Sequence, residues 1–533
     1  KTITIDKMIY KVFIPTAGLG TRLGQLSKNI NKALVAVDNK PVISHVIEKF
    51  PKDVEFVFAL GYKGSLVRDY LQIAHPDRLM TFVDVDPYCG PGSGLGRTVL
   101  ECESFLQCPF VFCTNDALIL EKIPPPTENW MGFTDIENNE NYRSVRIGKH
   151  DVVEELYEKD EGINAKPYIG LAGIYDYKSF WQNMSDGVLY GSIQIGESYA
   201  LRKMIEDNVK IKAKQFTWHD TGTLSTLARA REIFKRKNSP EILEKPNEAI
   251  WFVNNRAIKF AEDKTFISDR IERSKVLKGY VPEIVDSSDN MYCYKLINGN
   301  TMSKCITKPL FLRFLSWIGH FWSDTVGEFG LNKEEKLEFK QLCLSFYETK
   351  TKSRVHQYFN RFSVSDAEEV INGVKVPKLS YLLQKVDWDL LSDGKPSRFH
   401  GDLHFENILV AENGEFCLLD WRQNFSGLKK YGDIYYDLAK LYHGIVVSHE
   451  LVNKNYFNID RDGGIITFDI LRNHKLVEAE KVFEKFIVEK GYDLYKVKLL
   501  TALIFLNIAA LHHYPYSEFL FYLGKYQLSE LVN

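Results

Sequence analysis

The 533-residue sequence has almost no net charge, because 68 lysines and arginines face 70 aspartates and glutamates. Such a balance supplies no overall field to draw in nucleic acid or an anionic membrane, so phosphate binding must be built locally. Cysteine is sparse: the eight stand at 89, 102, 108, 113, 293, 305, 343 and 417, without the short paired spacings of a zinc site or a disulfide framework. They are expected to be reduced thiols of a cytoplasmic protein. No apolar run reaches the roughly 18 residues of a membrane span, and the opening KTITIDKMIY has no signal-peptide core. Neither secretion nor membrane insertion is expected. Internal repeats and low-complexity tracts are lacking too.

What is there is enough apolar material, 45% of the residues, to bury two or three cores. The first part alternates strands and helices: KVFIPTA, a glycine turn, ISHVIEKF as a helix, VEFVFAL, SLVRDYLQIA as a helix, then TFVDV and PFVFCTN. Alternation of this kind predicts a mostly parallel sheet covered by helices, with ligands at the carboxyl ends of its strands. After the helical STLARAREIFKRK, the charged and Pro-containing segment 237–248 reads as a linker. Short strands IWFVNN, RAIKFAE and MYCYKLI follow, with one helix between them, and then a long helical stretch. The expected domains are therefore 1–236 and 249–533, the second with a small lobe to about residue 300 and a helical lobe beyond it.

Gly18 and Gly20 follow the first strand in Ile14-Pro-Thr-Ala-Gly-Leu-Gly-Thr-Arg-Leu23, where backbone N–H groups can approach phosphate oxygens and Arg22 can add a charge-assisted contact. The segment continues with Asn31-Lys32-Ala33-Leu34-Val35-Ala36-Val37 and Asn39-Lys40-Pro41. Together these resemble the GxGTRL...PKxLxPV...KP signature of the sugar-phosphate nucleotidyltransferase family, across most of residues 10–235. The resemblance implies a Rossmann-like (GT-A-like) α/β sheet. It also implies that Ala17, Gly18, Gly20 and Thr21 hold nucleotide, and that Arg22 and Lys32 hold the triphosphate and the attacking phosphate. Asp116 ends the strand PFVFCTND, with Asn115 where the family has glycine, and Asp220 lies in Trp218-His-Asp-Thr-Gly-Thr223. Paired carboxylates at strand ends suit Mg²⁺, which prefers carboxylates plus substrate phosphates. Glu155 through Lys159 resembles the family's sugar-contacting stretch, and Gly170 lies on the strand expected to line the sugar pocket. Gly92 and Gly94, in Cys89 through Thr98, take the place of the loop that reads the base.

The second half carries Phe399-His-Gly-Asp-Leu-His-Phe-Glu-Asn-Ile-Leu-Val410 and, ten residues on, Asp420 after an apolar strand. Phosphoryl transfer to a hydroxyl needs a base near the acceptor and ligands for the metal that bridges the phosphates. The motif resembles the aminoglycoside phosphotransferase and choline kinase family, which implies an α+β protein-kinase-like fold. By that resemblance Asp402 is the base, Asn407 and Asp420 bind Mg²⁺, His400 and His404 shape the loop, and Asp433 and Asp437 buttress it. Lys259, on a strand, would grip the ATP phosphates with Glu272 as its ion-pair partner, beneath a covering turn at Asn254-Asn255 that has no glycine. The sequence thus reads as a bifunctional enzyme whose partners are nucleoside triphosphates and a small sugar or sugar phosphate. Choline kinase joined to a CTP:phosphocholine cytidylyltransferase is the alternative, and a non-catalytic role for one domain is a third reading. The sequence is compatible with a homo-oligomer and names neither base nor acceptor.

Overall fold

The computed structural model describes residues 9–136, 141–159, 161–162, 165–236, 245, 247–323 and 330–533. Most of the expected linker, 237–244 and 246, lies outside the described residues. The chain forms two compact units, Lys1–Lys264 with Val285–Leu296, and Thr265–Ile284 with Ile297–Asn533.

In the first unit the strands Lys11–Pro15, Glu55–Leu60, Met80–Asp84 and Phe110–Cys113 pair in parallel, and Lys166–Ile174 adds antiparallel to Phe110–Cys113. Side chains alternate across this sheet with period two. Val12, Ile14, Phe56, Phe58 and Val111 enter one buried cluster, while Phe13, Val57, Ala59, Phe110 and Phe112 enter another. Both faces are covered, as a parallel sheet requires. The carboxyl ends of the central strands therefore open onto loops at one edge, and those loops carry the glycine turn and Asp116.

The hairpin Glu248–Val253 with Arg256–Ala261, and the strand Met291–Lys295 beside it, belong to this first unit and not to the second, where the sequence places them as a small lobe. The reason is packing. Trp251, Ile258, Phe260, Met291 and Cys293 share one core with Val67, Tyr70, Leu71 and Ala74 of the helix Gly64–Ala74, and the Trp251 and Tyr70 rings lie 5.1 Å apart. The turn Asn254-Asn255 has positive φ at both residues, as a two-residue hairpin turn demands. It is docked on the end of that helix, where the Asn254 amide donates to Ala74 O at 2.8 Å and the Arg256 guanidinium donates to Ile73 O at 3.1 Å.

The second unit is mainly helical. Helix Ile434–Val446 is buried at every position from Tyr436 to Val446, the signature of a helix enclosed on all sides. The strands Gly299–Thr301, Ile408–Ala411 and Phe416–Leu418 form a small sheet, and the loop 399–407 leads into its central strand. No helix among the described residues is long and apolar enough to cross a membrane.

Candidate functional site

In the first unit, Ala117–Ile119 pairs antiparallel with Trp218–Asp220, so Asp116 and Asp220 end side by side although 104 positions separate them. Thr221 locks the register, because its N–H and hydroxyl both donate to Asp116 O, at 3.1 and 2.8 Å. Lys32 Nζ lies 3.0 Å from Asp116 Oδ2. Gly222 sits among these groups: a Cβ there would lie 3.1 Å from Asp220 Oδ1, 3.4 Å from Asp116 Oδ2 and 3.4 Å from Arg22 Nη2. The missing side chain leaves one space that two carboxylates and a guanidinium border. Burial pushes the Asp116 carboxyl up, but the Lys32 ammonium, a bond from Thr114 and the Arg22 charge together hold it below its ordinary value. Asp220 is pushed up, by burial first and then by the charge of Asp116.

Gly20 has φ +67°, and a Cβ would meet Lys32 Cβ at 2.9 Å, so this glycine lets Lys32 pass beneath the turn. Gly18 faces open space and Thr21 is exposed, whereas Ala17 is buried and its carbonyl accepts the Tyr62 N–H at 3.0 Å. The other predicted residues separate. Gly92 is open, but a Cβ on Gly94 would strike Ile193 O at 2.2 Å, so Gly94 serves the close approach of two short helices. Gly170, with φ +68°, packs against Thr114 where the strand register shifts. Lys159 is exposed, and its neighbour Glu158 lies between Arg143 at 2.8 Å and Arg202 at 2.5 Å.

In the second unit the loop 399–407 hangs on Asp437. Its carboxylate accepts the backbone N–H groups of His400 and Gly401, both at 2.7 Å, and the Trp322 indole at 3.2 Å. His400 Nε2 is 2.9 Å from Leu419 O and its Nδ1 accepts the Asp402 N–H at 3.2 Å, while burial pushes this ring down to about 3. It is a neutral structural imidazole. Asp402 is half-open to solvent, with Lys440 Nζ 2.8 Å from Oδ1 and His404 Nε2 3.6 Å from Oδ2. Burial opposes ionisation of Asp402, yet Lys440 and His404 hold its carboxyl well below the carboxylate range. Asn407 Nδ2 donates to Asp402 O at 2.9 Å. Asp420, at φ +54°, is ion-paired with Arg270.

Residues 347–459 match the phosphotransferase enzyme family (APH). Residues of the first unit match the bifunctional protein GlmU of Methanococcus vannielii, 27% identical over 240 residues. The N-terminal region thus resembles nucleotidyltransferases, and the C-terminal region matches a phosphotransferase family model. The GlmU match covers 42% of this chain and 55% of that protein, so the chain spans about half the length of the relatives it matches. Among solved structures, CTP:phosphocholine cytidylyltransferase from Streptococcus pneumoniae aligns with 43% of this chain and all of its own, at 18% identity and a TM-score of 0.37. UDP-glucose pyrophosphorylase complexed with UDP-glucose aligns with 43% of this chain and 98% of its own, also at 18% identity and 0.37.

Lys259 stands on the strand Arg256–Ala261 of the first unit and Glu272 on the helix Lys264–Val276. Glu272 lies 2.7 Å from Lys429, and Lys259 Nζ is 3.9 Å from Glu248 Oε2 across the hairpin. The helix Lys264–Val276 serves the site through Arg270, on Asp420, and the fully buried Arg273, which donates to Phe399 O at 2.5 Å. Neither arginine stands out in the sequence, where both read as solvated helix charges. In the nucleotidyltransferase region, Asn115 takes the glycine position by turning inward to donate to Pro15 O at 2.9 Å. Asn31, fully buried, donates to Thr16 O at 2.8 Å and Tyr62 O at 2.6 Å and so moors the glycine turn. Its place directly before Lys32 was the signal that could have marked it.

Proposed function

We propose that the chain is a bifunctional transferase. One site moves a nucleotidyl group from a nucleoside triphosphate to a phosphate monoester of a sugar, releasing pyrophosphate. The other moves the γ-phosphoryl group of ATP to a hydroxyl of the sugar, so that two consecutive steps yield a nucleotide-activated sugar, for surface polysaccharide or glycan synthesis. The observation that carries the reading is the meeting of Asp116, Asp220, Lys32 and Arg22 around the space left by Gly222.

The residues fit Mg²⁺ at the first site, since Asp116 and Asp220 border one space and their mutual repulsion, which raises Asp220, would be relieved by a cation between them. Mg²⁺ held there would neutralise charge on the triphosphate. The chain itself does the rest: the turn 16–21 offers backbone N–H groups to phosphate oxygens, and Arg22 and Lys32 neutralise and aim the groups that react. At the second site Asn407 and Asp420 would hold Mg²⁺, with Asp420 exchanging Arg270 for the metal. Asp402, ionised at neutral pH, accepts a hydrogen bond from the acceptor hydroxyl and orients it toward the phosphoryl group.

The test is a mass-spectrometric screen of the full chain with Mg²⁺, ATP, each of CTP, GTP, UTP and dTTP, and panels of sugars, sugar 1-phosphates, choline and phosphocholine. A nucleotide sugar formed from a free sugar and lost in Asp402→Asn, with transfer to the sugar phosphate retained, is the expected result. Product from choline alone would move the assignment to an amino alcohol. Absence of nucleotidyl transfer to every phosphate monoester would sink the first activity.

A further inference from the structure

Asp402 meets positive charge from beyond its own loop as well as from His404 within it. Lys440, 7% exposed, reaches Oδ1 at 2.8 Å from helix Ile434–Val446. One turn earlier on that helix, Tyr436 points to the same place. Lys350, at the start of helix Lys350–Phe362, sets its ammonium 4.4 Å from the Phe346 ring centre and 5.4 Å from that of Tyr436. Arg422 lies 5.0 Å from the same Phe346 ring. Its position is built in: Arg422 N–H donates to His400 O at 2.9 Å, and a Cβ on Gly401, at φ +89°, would collide with Arg422 Cβ at 2.5 Å. The glycine before Asp402 is thus what lets an arginine stand against the loop.

Three cations therefore gather about Tyr436, and one of them, Lys440, is paired with Asp402. Among the described residues neither Lys350 nor Arg422 pairs with a carboxylate: Lys350 lies against the Phe346 and Tyr436 rings, and Arg422 against the Phe346 ring with its Nε donating to Asn424 O at 3.0 Å. The surroundings register the excess. Lys350 is pushed down, by burial and then, against the pull of Tyr436, by Arg422 and Lys440, and the buried Tyr436 phenol lies below its ordinary value because Lys350, Lys440 and Arg422 outweigh the effect of burial. Keeping like charges this close without counter-ions is costly, and a bound anion removes the cost.

We propose that the acceptor of the phosphotransferase region is an alcohol carrying an anionic group, a carboxylate or a phosphate ester, which Lys350 and Arg422 hold while its hydroxyl faces Asp402. The proposal rests on the reading of this region as a kinase. Within that reading it narrows the sugar to an acidic one and argues against choline or another amino alcohol, whose fixed positive charge would face Lys350, Arg422 and Lys440. Arg422 offers a planar fork suited to a carboxylate or phosphate, and Lys350 a point charge beside it. No new bond-making is added: the hydroxyl oxygen bonds to the γ-phosphorus as the bond to the bridging oxygen of ADP breaks, and the hydroxyl proton leaves by way of Asp402.

The experiment uses the full chain with Mg²⁺ and ATP and four acceptor panels: hydroxy acids and sugar acids, phosphate esters, neutral sugars, and amino alcohols. The expected result is turnover in one of the two anionic panels, which also tells carboxylate from phosphate. In Lys350→Met the KM for that acceptor rises about tenfold or more, while the KM for ATP stays within about twofold. Lys350→Arg recovers most of the affinity and controls for folding. Turnover confined to neutral or amino acceptors, or a Lys350→Met effect confined to ATP, would overturn the proposal. If nothing is phosphorylated the kinase reading itself fails, and calorimetric titration with inorganic phosphate and with tartrate then decides the anion site alone. Saturable binding lost in Lys350→Met and kept in Lys350→Arg supports the site; no binding of either anion overturns it.

Discussion

Lys440 Nζ lies 2.8 Å from Oδ1 of Asp402, a contact between two residues 38 positions apart in the chain. The lysine is nearly buried, and its charge is the largest favourable influence holding the Asp402 carboxyl well below its ordinary value, against the effect of burial. Ionised Asp402 is the working form, so wild-type phosphotransfer should hold its rate down into the acid range. Lys440→Met removes the attraction and moves that carboxyl up. The acid limb of kcat/KM should shift to higher pH with it, read from a pH–rate profile between pH 4 and 8. An unmoved limb would show that Lys440 does not act on Asp402.

Gly222 has an ordinary φ, so alanine is tolerated by the backbone, but its Cβ would fill the space between Asp116, Asp220 and Arg22. Gly222→Ala should cut nucleotidyl transfer about a hundredfold, measured as pyrophosphate release, with the melting temperature nearly unchanged. Phosphotransfer by the same variant should be untouched. A fully active Gly222→Ala enzyme would place the triphosphate elsewhere.

Asp220 is raised by burial and by Asp116, which makes it a source of instability. A carboxyl raised on folding binds its proton more tightly in the native state, so stability falls as pH rises from the ordinary 3.8 through the folded value. Above the folded value the cost is fully present. Asp220→Asn should therefore raise the metal-free melting temperature. Added Mg²⁺ should stabilise the wild type and do little for the variant, which scanning calorimetry would read directly.

Glu197 begins the helix Glu197–Glu206, is 2% exposed, and is pushed up to about 7 chiefly by burial. By the same sign, the protein should lose about 3 kcal/mol between pH 4.5 and 7, where the unfolded chain ionises this group and the native state resists. Glu197→Gln should flatten that part of the stability profile in urea titrations at successive pH values. A wild-type profile already flat between those limits would refute it.

Much of both sites is legible along the chain because their motifs are continuous. Gly20, Arg22 and Lys32 lie within one loop after a strand, and Asp402 and Asn407 within one turn of the chain, so spacing alone predicts that each group acts together. Asp116 and Asp220 are readable only as strand ends, and their pairing through Ala117–Ile119 and Trp218–Asp220 is a matter of sheet register. The hairpin at 248–261 shows the limit. Its strands are correctly expected, but an apolar face does not say which partner it will bury against, and here helix Gly64–Ala74 takes it.

The sequence by itself determined the order of strands and helices in the first unit, the glycine turn, and the loop that bears Asp402, since each depends on local periodicity, backbone freedom and short spacing. Only the tertiary structure decided which charges meet there: Arg270 against Asp420, Asp437 beneath His400 and Gly401, Lys440 on Asp402, and Lys350 and Arg422 with Lys440 about Tyr436. A charged side chain on a helix reads the same in sequence whether it faces water or a carboxylate. What distinguishes the two is the packing of helices separated by tens of residues, which sets burial, distance and therefore the strength of every one of those contacts.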